Sequence, residues 1–212
     1  MKKIKPADGN KTFCMAPWTH TYLSPQTERR MCCASREPAQ SFKQYIDTGN
    51  SSKTYNPLTL EEHWNSEHMR SVRKRMLQGK KLPECEVCND KLLNTDVYKS
   101  YWNHLFAHLI DKAFTDTKED GSTTMPVISY DYRFNNLCNF KCRMCGSMLS
   151  SSWESEQRKH KDWSISSSPW MEPKLREQIK SFQDTQVVKE FMHGVENKTI
   201  REIYWCGGEP LM

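Results

Sequence analysis

The run Cys138-Asn139-Phe140-Lys141-Cys142-Arg143-Met144-Cys145 sets three thiols on one short loop. A loop this tight can wrap a single metal cluster. An iron–sulfur cube normally takes four thiolates, so three leave one iron open. An open coordination position is where a substrate or cofactor can bind, as catalytic metals generally require. A second set, Cys14, Cys32, Cys33, Cys85 and Cys88, ends in the paired spacing Cys85-x2-Cys88, which zinc and iron–sulfur sites both use. On residue types alone, a structural zinc site or a set of buried cysteines remains an alternative for either group. Cys206 lies at the end of an apolar run and reads as a core or first-turn residue.

The elements that must position these thiols follow from pattern. Thr59-Leu60-Glu61-Glu62 is a capping box. It predicts a helix with Leu60, Trp64, Val72 and Met76 on one face, ending near Gly79. A second helix is expected from Asp90 to Phe114, with Leu93, Val97, Tyr101, Leu105 and Leu109 at i+4 spacing. The stretch before Thr59 reads as loop-rich. Thr115–Pro126 is polar and reads as a linker between two domains. Val127–Phe134 is β-branched and aromatic and predicts a strand that runs straight into the three-cysteine loop. Gly146–Ser168 is Ser-rich and is expected to be a mobile loop. Pro173–Val195 predicts a helix with a break, and Ile200–Cys206 a second strand closed by Gly207-Gly208-Glu209-Pro210. Strand, crossover helix and strand make a parallel βαβ unit. The three-cysteine loop then lies at the carboxyl edge of that sheet, where ligand sites of α/β folds collect.

The chain has 212 residues, of which 36% are apolar, with 31 Lys+Arg against 26 Asp+Glu. Mean hydropathy is -0.84. Globular chains average roughly 45–50% apolar, so the core is thin and bound metal is expected to help hold the fold. A net charge of +5 does not call for nucleic acid. No apolar run approaches the ~18 residues a membrane helix needs. The basic start lacks the apolar stretch of a signal peptide. A cytoplasmic location is therefore expected, where thiols stay reduced and serve as metal ligands. His104 and His108 lack the third ligand of a metalloprotease pattern and read as a solvated face. Arg70, Arg73, Lys74, Arg75, Lys80 and Lys81 read as a polar helix face.

Cys138-x3-Cys142-x2-Cys145 after one strand, with Gly207-Gly208-Glu209-Pro210 after the next, resembles the radical S-adenosylmethionine (SAM) superfamily. The resemblance implies that the three thiolates hold a [4Fe–4S] cluster whose fourth iron is chelated by the amino and carboxylate groups of SAM. It implies one-electron reductive cleavage to a 5′-deoxyadenosyl radical, which abstracts hydrogen from substrate. It places Met144 against the adenine. It places Gly207, Gly208, Glu209 and Pro210 at the methionyl amino group, with Glu209 as acceptor. An electron donor of flavodoxin or ferredoxin type is implied as a partner.

Phe13-Cys14-Met15-Ala16-Pro17-Trp18, then Met31-Cys32-Cys33, then Leu60–Asn65, then Met69-Arg70 through Gly79 to Cys85 and Cys88, resembles the SPASM/twitch auxiliary-cluster domains. That resemblance implies a second iron–sulfur cluster on Cys14, Cys32, Cys85 and Cys88, with Cys33 the rival of Cys32 and with Trp18 and Trp64 packed around it. In the better-known members this domain follows the SAM-binding barrel, whereas here it precedes it. Relatives act on peptide or protein side chains or on small molecules such as sugars and nucleotides. The peptide class is the expectation, with a non-enzymatic iron–sulfur or zinc scaffold as the alternative.

The expected fold is α/β. Residues 1–115 form a small α-rich, cysteine-clamped domain, 116–126 a linker, and 127–212 the first βαβ of a radical SAM partial (β/α)6 barrel. Two strands and one crossover are only part of such a barrel, so further sequence or a second polypeptide is expected to complete it.

Overall fold

The protein is described here from a computed structural model covering residues 1–37, 55–91, 97–160 and 173–209. Its centre is a four-stranded sheet in the order β2-β1-β3-β4. The strands are β1 (His20–Leu23), β2 (Arg29–Arg30), β3 (Ser129–Tyr132) and β4 (Glu202–Ile203). β1 and β2 are antiparallel, while β1, β3 and β4 run parallel. The α/β class and the parallel β3–β4 pair agree with the sequence. β1 and β2 fall where only loop was expected. They bring the N-terminal cysteine segment into the sheet beside β3, with His20 opposite Ser129 and Leu23 opposite Tyr132.

The helices are α1 (Ala16–Thr19), α2 (Leu60–Trp64), α3 (Glu67–Leu77), α4 (Val97–Leu105), α5 (Ile110–Asp116), α6 (Ser151–Lys159), α7 (Pro173–Phe182) and α8 (Val188–Glu196). Thr59 and Glu62 form the reciprocal capping box read from sequence. The single helix expected after it is two helices, because Ser66 makes a fresh N-cap by accepting from the Met69 N–H. The helix expected from Asp90 to Phe114 is also broken, into α4, a 3-10 turn at Ala107–Leu109, and α5. Its proposed apolar stripe faces solvent: Val97, Tyr101 and Leu105 are exposed, while Trp102 and Phe106 are buried. Leu93 lies outside the described residues. α7 and α8 are joined by a π-helical turn at Gln183–Val187, which is the expected break.

Two large clusters form the core of the described residues, together with a small one of Leu175 and Ile179. One gathers Phe13, Met15, Trp18, Met69, Met76, Leu77, Trp102 and Phe114 beneath the N-terminal cysteines. The other packs Leu23, Tyr130 and Tyr132 of the sheet against Trp64 and Val187. On the opposite side of the sheet, His20 stacks on Trp102 with ring centroids 4.1 Å apart. Arg73 is not part of a solvated face. It is fully buried, lies 4.7 Å from the Trp64 ring and donates to the Pro17 carbonyl. The stretch after α5 is tied to α3 and to Asn65. Thr123 N–H donates to Asn65 Oδ1, and a Cβ on Gly121 (φ +90°) would stand 2.2 Å from the Arg70 carbonyl oxygen.

Candidate metal centres

Four thiols, Cys14, Cys32, Cys85 and Cys88, line one cavity together with Met31, Met76, Tyr98 and Trp102. Each arrives on a differently braced piece of chain. Asn103 of α4 holds both sides of Cys14, donating to the Phe13 carbonyl at 2.9 Å and accepting from the Met15 N–H at 2.9 Å. Glu37 closes the loop that carries Cys32, its Oε1 accepting from the Met31 N–H and the Ser35 hydroxyl. The Arg36 N–H donates to the Glu84 carbonyl, which docks that loop on the Pro83–Cys85 turn. Cys88 follows in a π-helical turn at Val87–Lys91.

Cys33 does not line that cavity and is exposed at the surface. Cys32, by contrast, lines the cavity with Cys14, Cys85 and Cys88. Burial pushes the Cys85 thiol up to about 12 and the Cys14 and Cys32 thiols well above their ordinary value. Such thiols stay protonated until a metal takes the proton's place.

The donor set suits a soft metal cluster: four thiols in an apolar, methionine- and aromatic-lined wall. Among the described residues, no three His, Cys, Asp or Glu side chains converge on a single metal ion.

The second set sits at the carboxyl end of β3. Its loop is braced by part of the Ser-rich stretch expected to be mobile, where Ser151–Lys159 form α6; residues 161–168 lie outside the described residues. Ser150 caps that helix by accepting from the Trp153 N–H and donates to the Phe140 carbonyl at 2.6 Å. Ser151 Oγ accepts from the Cys138 N–H at 3.1 Å, and Ser152 donates to the Cys138 carbonyl. The Trp153 indole donates to the Cys142 carbonyl at 2.9 Å. Beneath the loop, Asn136 donates to buried Glu154, which also receives Arg158 and Arg176. Cys142 is exposed, while Cys138 and Cys145 are half-buried.

The Gly207–Glu209 turn packs directly on this loop's base. Gly207 and Gly208 have φ of +87° and +66°. A Cβ on Gly208 would stand 2.4 Å from the Leu137 carbonyl oxygen, and one on Gly207 2.5 Å from Arg133 Cβ. Only glycine fits both the backbone and the space. The Glu209 N–H donates to that same Leu137 carbonyl at 2.6 Å. Pro210 lies outside the described residues. Met144 is 92% exposed.

Sequence reasoning missed Asn103, Trp102, Glu37 and the Ser150–Trp153 brace. Ser150 preceding a helix-compatible run was the one readable signal. Neither Trp18 nor Trp64 lines the cavity, but Trp18 belongs to the core cluster against which Cys14, Cys32 and Cys85 pack, whereas Trp64 lies in the other cluster. Their indoles donate to Thr117 Oγ1 and the Met125 carbonyl. His104 and His108 are exposed and fall on separate helical turns.

Residues 14–89 match the family model of SPASM, an iron–sulfur cluster-binding domain that serves as the auxiliary domain of radical SAM proteins. No curated protein and no solved structure matches the chain. The match covers about a third of the sequence and includes all five N-terminal cysteines. Among the described residues, no helix is long and apolar enough to cross a membrane.

Proposed function

We propose that the chain belongs to a radical SAM enzyme. In this reading Cys138, Cys142 and Cys145 hold the SAM-binding [4Fe–4S] cluster, and Cys14, Cys32, Cys85 and Cys88 hold an auxiliary cluster. The carrying observation is the Glu209–Leu137 hydrogen bond: it holds the glycine turn against the residue that precedes Cys138. A cysteine scaffold with no cofactor to bind has no use for that turn. When bound, the cluster and SAM supply a 5′-deoxyadenosyl radical for hydrogen abstraction.

The chain's own groups have simpler tasks. Ser151, Ser152 and Trp153 fix the loop's backbone. The two glycines let the chain approach the cofactor's amino group, and Glu209 accepts from it. The auxiliary-cluster relatives point to a peptide or protein side chain as substrate, and an electron donor of flavodoxin or ferredoxin type to reduction.

The rest of the SAM-binding barrel docks at the outer edge of β4. Among the described residues β4 pairs only with β3. Just after that strand, exposed Trp205 packs edge-on against Phe191 of α8 with ring centroids 6.4 Å apart, an apolar border that another strand and helix would cover. The adenine wall that Met144 lacks comes from there.

The test is metal content and cofactor response. Anaerobically purified protein should carry about eight irons if both clusters are [4Fe–4S]. Cys138→Ala with Cys142→Ala should remove about half. SAM should then perturb the paramagnetic resonance spectrum of one cluster only, and that change should survive Cys14→Ala with Cys88→Ala. Stoichiometric zinc with little iron would sink this reading.

A further inference from the structure

Trp102 and Asn89 both line the four-thiol cavity. The Trp102 indole Nε1 and the Asn89 amide Nδ2 are closed off from solvent, and neither has a hydrogen-bond partner among the described residues. The other two buried indoles do have one: Trp18 donates to Thr117 Oγ1 and Trp64 to the Met125 carbonyl. Packing holds the Trp102 ring in place. It is 7% exposed, stacked on His20 with centroids 4.1 Å apart and parallel to Phe106 at 6.1 Å. Asn89 directly follows Cys88 in the π-helical turn at Val87–Lys91. A buried donor left unmade costs the full desolvation of that group. Two of them in the wall around four thiols call for an acceptor that arrives with the bound group. Sulfur already accepts from nitrogen in this wall: the Ala16 N–H donates to Cys14 Sγ at 3.5 Å.

Resting on the auxiliary-cluster assignment proposed above, we propose that Trp102 and Asn89 donate N–H···S hydrogen bonds to the sulfurs of that cluster and thereby raise its reduction potential. The reduced cluster carries one more negative charge than the oxidised one, so donors stabilise it more. Hydrogen bonds to the sulfurs are among the features that set the potential of iron–sulfur centres. The apolar wall strengthens each such bond, because little solvent competes for it. In this role the two side chains are neither ligands nor catalytic groups. They leave the thiolates to hold the metal and decide how readily the cluster takes up an electron.

The experiment reads potential and hyperfine coupling rather than turnover. The full-length chain carrying Cys138→Ala and Cys142→Ala, which keeps only the auxiliary cluster, is loaded anaerobically with iron and sulfide. It is titrated with dithionite and followed by paramagnetic resonance. Trp102→Phe retains a stacked ring and loses the N–H. Asn89→Leu retains the volume and loses the amide. Each should move the midpoint negative, so that the ratio of reduced to oxidised cluster at the parent chain's midpoint falls several-fold. An unchanged or more positive midpoint overturns that residue's bond. A second readout needs no further substitution to fold. Parent chains labelled with 15N at the tryptophan indole, or at the asparagine amide, should each show a nitrogen coupling on the reduced cluster. Trp102→Phe should remove the first and Asn89→Leu the second. A coupling that is absent from the parent, or that survives the substitution, overturns the bond. Adding Cys14→Ala and Cys88→Ala is the control. If the cluster persists without those thiols, the auxiliary assignment falls and the proposal falls with it. If the cluster is lost with them while midpoints and couplings ignore Trp102 and Asn89, the hydrogen bonds are overturned and the assignment stands.

Discussion

Arg29 and Glu190, 161 residues apart in the chain, form a buried ion pair with Nη2 and Oε2 at 2.7 Å. The guanidinium also donates to the Leu58 carbonyl and the Tyr132 hydroxyl, and Glu190 Oε1 accepts from the Leu60 N–H at 2.7 Å. One pair therefore joins β2, the entry to α2, β3 and α8. Removing either partner strands a charge in the core. Arg29→Met or Glu190→Gln alone should cost about 3–5 kcal/mol. The double variant should cost less than the sum of the two, measured as a double-mutant cycle in urea. Additive losses would show that the two side chains are not coupled.

The two adjacent cysteines should behave differently. Cys32 lines the N-terminal cavity, whereas Cys33 is exposed and does not line it. Cys32→Ala should lower the iron of the anaerobically loaded protein by up to half, and Cys33→Ala should leave it within error of wild type. The reverse pattern would exchange their roles.

Glu37 supplies a pH dependence whose sign can be worked out. Burial alone would raise its carboxyl, but His63, His68 and the Ser35 hydroxyl together hold it well below the usual carboxylate range. The imidazole Nε2 atoms stand 3.7 and 3.4 Å from Oε2. A depressed carboxylate contributes stability that is full above its unfolded value, near 4.3, and is lost as pH falls through its folded value. His68 is raised by its contact with Glu37. Its share is full below about 6.5 and fades as pH rises through its folded value. His63 is pushed down by burial, so it resists protonation. Glu37→Gln should lower the urea midpoint at pH 7 and flatten the acid side of its pH profile. A parallel profile, merely shifted down, would mean that Glu37 ionises normally in the folded protein.

What sequence could show depended on how local each signal was. The Thr59–Glu62 capping box, strand β3 and the glycine turn are each written in a few consecutive residues, and each was readable. β1 was not, because His20-Thr21-Tyr22-Leu23 has polar groups on both faces and becomes a strand through β3, more than a hundred residues away. The i+4 stripe on α4 misled for a related reason. Trp102 and Phe106 outweigh Val97, Tyr101 and Leu105 once the cysteine cavity and His20 supply a surface for them. The serines at 150–152 looked like loop composition, because their partners, the carbonyls of Cys138 and Phe140, are set by the folded cysteine loop.

The pairing of β1 with β3 also sets an order of events during synthesis. His20 must wait for Ser129, 109 residues later, before the two can bond. At typical elongation rates of 5–20 residues per second that is a delay on the order of ten seconds. The last residue lining the cysteine cavity, Trp102, is made 27 residues before Ser129, a lead of roughly 1–5 seconds at those rates. So there is an interval in which a nascent chain could receive its N-terminal metal while strand β1 is still unpaired. Parallel pairings between distant segments are slow to form, which lengthens that interval. Closing the sheet afterwards would lock the cluster in.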